Sequence, residues 1–409
     1  MDEPLAMLAV VFVVAAAAPL LADLLSRWRV PTTVIEILLG ILIGPAVLGW
    51  VDDVAIVSTL SSLGLAMLFF FAGMEVDLDR IKGPPLERAG MAWGVSLVIG
   101  LAVGGIFALF GLVMSGLIVG LCLTTTALGT LLPIVTDAGQ LESRFGGFVL
   151  ATGAVGEFAP IVAIALLLSG HNPALEGLLL VAFVLLALLA VGFALRPLPP
   201  RLRRVMGATL RSSGHLAVRL CVCALALMVW VASHLGLDTL LGAFTAGAVV
   251  RVCLRHSDAP EQVEVVEQKL AGLGYGFLIP FFFVASGVAF DVDALFASPT
   301  TILRVPLFLG LFLVARGLPT YLFHRGLLPA RERVALALAA STALPLIVAV
   351  TTIGLDTGRM HPENAVALVG AGMLSVLLFP TIALSTVGRA EDDSAAPIKP
   401  APAANGEWA

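Results

Sequence analysis

Long apolar runs alternate with short polar or Gly/Pro-rich breaks along almost the whole chain. At about 20 residues per bilayer crossing, the runs predict about thirteen spanning helices. They cover residues 5–26, 32–50, 55–76, 89–112, 116–137, 145–169, 174–195, 214–235, 238–254, 270–290, 301–323, 332–354 and 363–387. The runs are continuous and lack the period-two alternation of short segments that marks a transmembrane barrel. The predicted class is therefore an all-α membrane protein. Two segments fall outside the pattern. Residues 258–269 are acidic and polar with interspersed valines, and read as a short helix on the cytoplasmic surface. Residues 389–409 are polar and Pro/Ala-rich and read as a disordered cytoplasmic tail.

The polar breaks also give a direction. Arg27, Arg29, Arg80, Lys82, Arg88, Arg144, the arginines from Arg196 to Arg211, Arg251, Arg255, Lys269, Arg325, Arg331 and Arg333 all fall on one side if each run crosses once. Loops on the other side carry almost no Lys or Arg, with Arg304 and Arg359 as exceptions. Positive charge stays cytoplasmic, so the N-terminus is expected outside and the C-terminus inside. The acidic start, Met1-Asp2-Glu3-Pro4, has no basic region of a signal peptide, so the first helix is expected to be retained.

Composition sharpens the class. The 409 residues are 59% hydrophobic and only 12% charged, against about 25% charged in soluble domains. The four cysteines, Cys122, Cys221, Cys223 and Cys253, form no CxxC pair and read as reduced packing residues. No phosphate-binding loop, nucleotide fingerprint, HExxH or Ser/His/Asp set is present. An enzyme, an ATP-driven pump, a resident cofactor and a nucleic-acid partner are therefore not expected.

The two halves repeat each other. Phe69 to Asp79 and Phe283 to Asp293 both carry Phe-x-x-x-Gly-x-x-x-Asp-x-Asp, at the ends of the third and tenth runs. Leu38-Leu39-Gly40 matches Leu240-Leu241-Gly242, and Thr125-Thr126-Ala127-Leu128 matches Ser341-Thr342-Ala343-Leu344. By the predicted direction Asp77 is cytoplasmic and Asp291 external, so the repeats are inverted, spans 1–6 against 8–13 with span 7 as linker. Inverted repeats that bind substrate at the midplane, on discontinuous helices, are a common transporter architecture.

Helix-breaking residues sit at matching places in spans 5 and 12. Thr124, Thr125 and Thr126 with Gly129 and Pro133 form one set, and Ser341 and Thr342 with Pro345 form the other. Proline removes a backbone donor and clashes with the preceding turn. Both spans are expected to break in mid-membrane and cross, with hydroxyls satisfying freed carbonyls and helping to hold a cation. Glu157 lies in span 6 beside this crossing, after Gly153 and Gly156. A carboxylate in hydrocarbon costs roughly 3 kcal/mol on insertion scales and is kept where it faces a bundle interior or wet cavity. Such a group can bind a proton or a cation by turns. Arg316 in span 11 is the other deep charge. It is expected to offset half-helix C-terminal ends or to pair with Glu157. Asp23, Glu36, Glu75 and Asp77 read as interfacial charges at the cytoplasmic ends of their spans.

Several stretches together resemble the monovalent cation:proton antiporter-2 family. They are Gly40 to Pro45, Phe71 to Asp77, Thr124 to Ala127, Gly153 to Glu157, Gly242 to Gly247, and Pro280 to Phe283 with Gly287. The resemblance covers roughly residues 5 to 388. It implies the fold of bacterial sodium/proton antiporters, in which a core with two crossed broken helices moves like an elevator against a dimerisation scaffold. The core would be about 89–169 and 301–387, the scaffold about 5–76 and 214–290, and 174–195 the linker. Glu157 would be the essential ion-binding carboxylate and metal ligand of the transported cation, Thr126 would lie at the first crossing, and Arg316 would fall where relatives carry Lys or Arg.

The chain departs from the family in three ways. Relatives that move two protons carry two adjacent acids, whereas here the neighbour is Gly156. That implies electroneutral one-for-one exchange. Glu replaces the commoner Asp. The tail after Arg389 is too short for the nucleotide-binding regulatory domain of potassium-efflux relatives. The reading is a homodimeric Na⁺/H⁺ or K⁺/H⁺ antiporter of a bacterial inner membrane, with Glu157, Thr126, Thr125, Ser341 and Thr342 forming the site. An ion-coupled symporter of an organic solute on the same fold is its rival, and a channel or non-transporting sensor is a more distant one.

Overall fold

In the computed structural model of the protein, residues 4–24, 30–51, 55–75, 83–167 apart from 138 and 142, 215–255 apart from 238, and 260–387 are described, with the isolated positions 185, 189 and 192. Every regular element among these residues is helical. In order they are α1 (Pro4–Leu24), α2 (Thr32–Ile43), α3 (Ala55–Glu75), α4 (Pro84–Leu109), α5 (Gly116–Cys122), α6 (Leu128–Asp137) and α7 (Arg144–Leu167). After the linker come α8 (Leu216–His234), α9 (Thr239–Arg255), α10 (Pro260–Leu273), α11 (Ile279–Val288), α12 (Val292–Phe296), α13 (Pro299–Phe312), α14 (Leu318–Phe323), α15 (Ala330–Ala340), α16 (Pro345–Asp356) and α17 (Pro362–Val387). Nine helices or helix pairs among the described residues are long and apolar enough to cross a membrane. The predicted span 174–195 lies outside the described residues, as do Asp77 and the tail.

Two boundaries differ from expectation. Span 2 stops at Ile43 instead of residue 50, because Gly44 precedes Pro45 and takes an extended conformation (φ −69°, ψ 175°). Span 10 begins ten residues early. The acidic segment read as a separate surface helix is α10, which continues without a break through a π-helical turn, Gly274–Leu278, into α11. No Gly-Pro or Pro-Gly pair interrupts that stretch, so the helix extends beyond its apolar part. A second π turn, Leu313–Gly317, joins α13 to α14. Each π turn is followed by a residue and then a proline, Pro280 or Pro319. The wider turn accommodates a ring that would otherwise press on the carbonyl four residues back.

The inverted repeat is visible in how the helices meet. Gly73 of α3 lies against the backbone of Phe244 in α9, and Gly247 of α9 returns the contact to Phe70 of α3. In the other repeat Gly287 of α11 lies against Ile37 and Gly40 of α2, and Gly40 against Val284 of α11. The two Phe-x-x-x-Gly motifs therefore do the same work in each half, letting two backbones touch where any Cβ would collide. The helices α1, α2, α3, α8, α9 and α11 pack chiefly on one another, as do α4 to α7 and α13 to α17. The spans that both predicted and observed patterns leave broken, α5/α6 and α15/α16, lie in the second group.

Candidate functional site

The two breaks cross directly. Between α5 and α6 the chain opens over Leu123–Ala127, and between α15 and α16 over Ser341–Leu344. The Ala127 N–H donates to the Thr342 carbonyl at 2.7 Å, tying one break to the other. Local hydroxyls close the turns left behind. Thr124 donates to the Leu121 carbonyl, Thr125 to Cys122, Ser341 to Ala337 and Phe312, and Thr342 to Leu338. This follows from the chemistry, since Ser and Thr can offer a carbonyl the proton that an interrupted helix no longer supplies.

Thr126 behaves differently. Its hydroxyl donates across the crossing to the carbonyl of Ala340, the last residue of α15, at 2.6 Å. It accepts in turn from Arg316 Nε at 3.0 Å. Arg316, on the π turn, is fully buried and also donates through Nη2 to the Thr152 carbonyl at 2.7 Å. The guanidinium thus reaches the electronegative end of α15 through one hydroxyl, which is the favourable placement for a cation. Its Nη1 has no partner.

Glu157 is 5% exposed. Its carboxyl interacts with the backbone N–H groups of Leu128 and Gly129, the first two residues of α6. An anion at a helix N-terminus satisfies unpaired donors and meets the positive end of the dipole. Oε2 is buried without a protein partner. The expected pairing with Arg316 is absent: the guanidinium goes to Thr126 and Thr152. Helical geometry explains this, because neighbouring residues point about 100° apart at 3.6 residues per turn. Gly156 faces Thr126 and Arg316, and Glu157 is turned to α6. A Cβ at position 156 would collide with the Thr126 hydroxyl and the Arg316 guanidinium.

The sequence reading missed four contributors. Pro160, inside α7, has no N–H for the carbonyl four residues back. That carbonyl belongs to Gly156, and it accepts instead from the Thr126 N–H at 2.9 Å. A proline three residues after a buried glutamate was the available signal. Thr152 contributes only a carbonyl, for which no side-chain pattern exists. Glu75 and Tyr275 are the others. Glu75, read as interfacial, has a buried and unpartnered Oε2 and an Oε1 that lies 3.5 Å from the Tyr275 hydroxyl.

The fold and crossing can be compared with known proteins. The profile of the family described as sodium/hydrogen exchanger, transmembrane, matches residues 11–386. The chain belongs to that family. The chain is 26% identical over 392 residues to the putative Na(+)/H(+) antiporter YjbQ of Bacillus subtilis, covering 92% of this chain and 62% of YjbQ. It therefore spans under two thirds of that relative's length. It is 26% identical over 286 residues to the Na(+)/H(+)-K(+) antiporter GerN of Bacillus cereus, covering 68% of this chain and 70% of GerN. In structure the chain resembles the sodium proton antiporter MjNhaP1 from Methanocaldococcus jannaschii, with a TM-score of 0.66 at 17% identity, covering 93% of this chain and 99% of the other. At that identity the likeness establishes the fold.

Proposed function

We propose that the protein exchanges a monovalent cation, Na⁺ or K⁺, for protons, one for one and without net charge movement. The observation that carries this reading is Glu157, a buried carboxylate with one oxygen left unpartnered, at the crossing of two broken helices. A single such group binds a proton or a cation by turns, and that competition is the minimum an exchanger needs. Gly156 supports the one-for-one ratio. The space an adjacent acid would need is occupied by Arg316 and Thr126. Thr126 and Arg316 hold the first break against the second. Thr125, Ser341 and Thr342 hold the turns around it, and their hydroxyl oxygens keep acceptor capacity for a cation. Family membership and the antiporter names of the relatives agree with exchange as the activity.

In this reading the helices around the crossing, 89–169 and 301–387, form a core that moves as an elevator against the scaffold of 5–76 and 214–290. The scaffold pairs with its copy in a homodimer. The protein lies in a bacterial inner membrane with its N-terminus outside. The test uses proteoliposomes loaded with a pH dye and an imposed acid-inside gradient, to which Na⁺, K⁺ or Li⁺ is added. Wild type should collapse the gradient with at least one of these ions, and Glu157→Gln should lose that response. A response that survives in Glu157→Gln would move the proton site elsewhere. A response that changes with an imposed membrane voltage would overturn the one-for-one ratio.

A further inference from the structure

A groove of about 300 Å³ lies where α4 ends and α13 and α17 begin. Its apolar walls are Phe107, Val113, Leu303, Leu307 and Phe308. The Phe107 and Phe308 rings meet with centroids 6.3 Å apart. Leu303 and Leu307 form the outward lip, 66% and 46% exposed on a helix that is part of an apolar span, Pro299–Phe323. The charged member of the lining is Arg304. It stands five residues into that span, about 8 Å along the axis at 1.5 Å per residue, which is headgroup depth. Its Nη1 donates to Asn364 Oδ1 at 2.9 Å, and Asn364, buried, donates through Nδ2 to the Leu112 carbonyl at 3.0 Å. The guanidinium is thus fixed over the groove by α17 and the end of α4. One of its five donors is used in that bond. Among the described residues no carboxylate pairs with it, and no Asp or Glu lines the groove.

A fixed cation above an apolar trough at the edge of a bilayer matches an amphiphile with an anionic head. Guanidinium and phosphate oxygens pair in parallel hydrogen bonds. An amine or choline headgroup would find no carboxylate in the groove to balance it, so the charge favours a lipid that is negative overall. A free phosphate would leave the walls of Phe107, Leu303, Leu307 and Phe308 unused. We propose that this groove binds one anionic phospholipid from the leaflet at this end, with its phosphate on Arg304 and part of one acyl chain along Leu303 and Leu307 over the two phenylalanine rings. The lipid bridges α4, α13 and α17, the three helices whose ends Asn364 and Arg304 already tie together. It leaves the exchange site untouched, and it stands whether or not Glu157 carries the ion.

The test places a fluorescent reporter on the lip. Full-length Leu303→Trp is reconstituted in vesicles containing a graded fraction of phosphatidylglycerol or phosphatidylcholine with brominated chains, which quench tryptophan on contact. The quenching of protein without the added tryptophan is subtracted. Half-maximal quenching should need about fivefold less phosphatidylglycerol than phosphatidylcholine, the value of one arginine beside an anionic headgroup. Leu109→Trp, on the fully lipid-exposed end of α4 away from the groove, should be quenched equally by both. Adding Arg304→Gln to Leu303→Trp should abolish the preference. Adding Thr300→Glu, an exposed position of the lining in the first turn of α13, should abolish it too and decides the matter if Arg304→Gln does not fold. Equal quenching by the two lipids at Leu303→Trp would overturn the proposal, as would the same preference at Leu109→Trp or a preference that survives in the folded charge variants. Relief of phosphatidylglycerol quenching by excess glycerol 3-phosphate would overturn it in favour of a site for soluble phosphate.

Discussion

The two breaks start from nearly the same tetrapeptide and end in different chemistry. In the second, Ser375 of α17 accepts from the Ala343 N–H at 3.0 Å and donates to the carbonyl of Gly372 in its own helix at 2.7 Å. One neutral hydroxyl satisfies the exposed N–H of the break, and Gly372 lets α17 approach it. In the first, the corresponding helix α7 brings Glu157, Gly156 and a proline-freed carbonyl. The backbone is satisfied there too, but a carboxyl oxygen and a guanidinium nitrogen are left over. The break is therefore a structural device common to both repeats. What differs between the two is the residue set on the crossing helix.

That contrast can be broken in stages. The largest effect is expected at Arg316→Ala. It removes two charge-assisted hydrogen bonds, worth about 1.5–3 kcal/mol each, and releases the end of α15. Both thermal stability and cation-driven dye response should fall sharply. Retention of both would show that the guanidinium is incidental. Gly156→Ala comes next. Its methyl meets Thr126 and Arg316, and overpacking costs typically about 1–3 kcal/mol. The variant should melt lower and exchange more slowly; a wild-type melting curve would mean the crossing has slack. The smallest effect belongs to Ser375→Ala, with a loss of about 1 kcal/mol for a neutral hydroxyl and cation half-saturation unchanged. If Ser375→Ala altered cation half-saturation, Ser375 would have to be counted with Ser341 and Thr342 as part of the site.

Much of the architecture was legible in the chain. Apolar runs predicted the long helices that the structure describes, though not the short α12 or the start of α10, and the breaks at Thr124–Thr126 and Ser341–Pro345 announced the crossing. Glu157 stood out because a carboxylate in such a run needs a reason. Residues whose contribution depends on orientation were not legible. The pairing of Arg316 with Glu157 looked natural in a list of deep charges, but helical phase turns the two groups apart. Glu75 looked interfacial because it closes its run, and only the π turn brings the Tyr275 hydroxyl within 3.5 Å of it. The separate surface helix at 258–269 failed for a related reason. Polarity marks where a helix leaves the apolar layer, and it does not end a helix that lacks a breaker.

The glycines at 40, 73, 247 and 287 bear on how this protein can vary. They sit in stretches that look interchangeable, among Leu, Ala and Phe. Yet each of them brings its helix within touching distance of another main chain. A scan that adds one carbon at a time would find these four positions far less forgiving than the apolar residues between them. Sequence drift is thus restricted at these four positions, where any side chain would meet a backbone. The seam itself works as a fixed spindle, with no side chains whose repacking could let one helix slip past its neighbour.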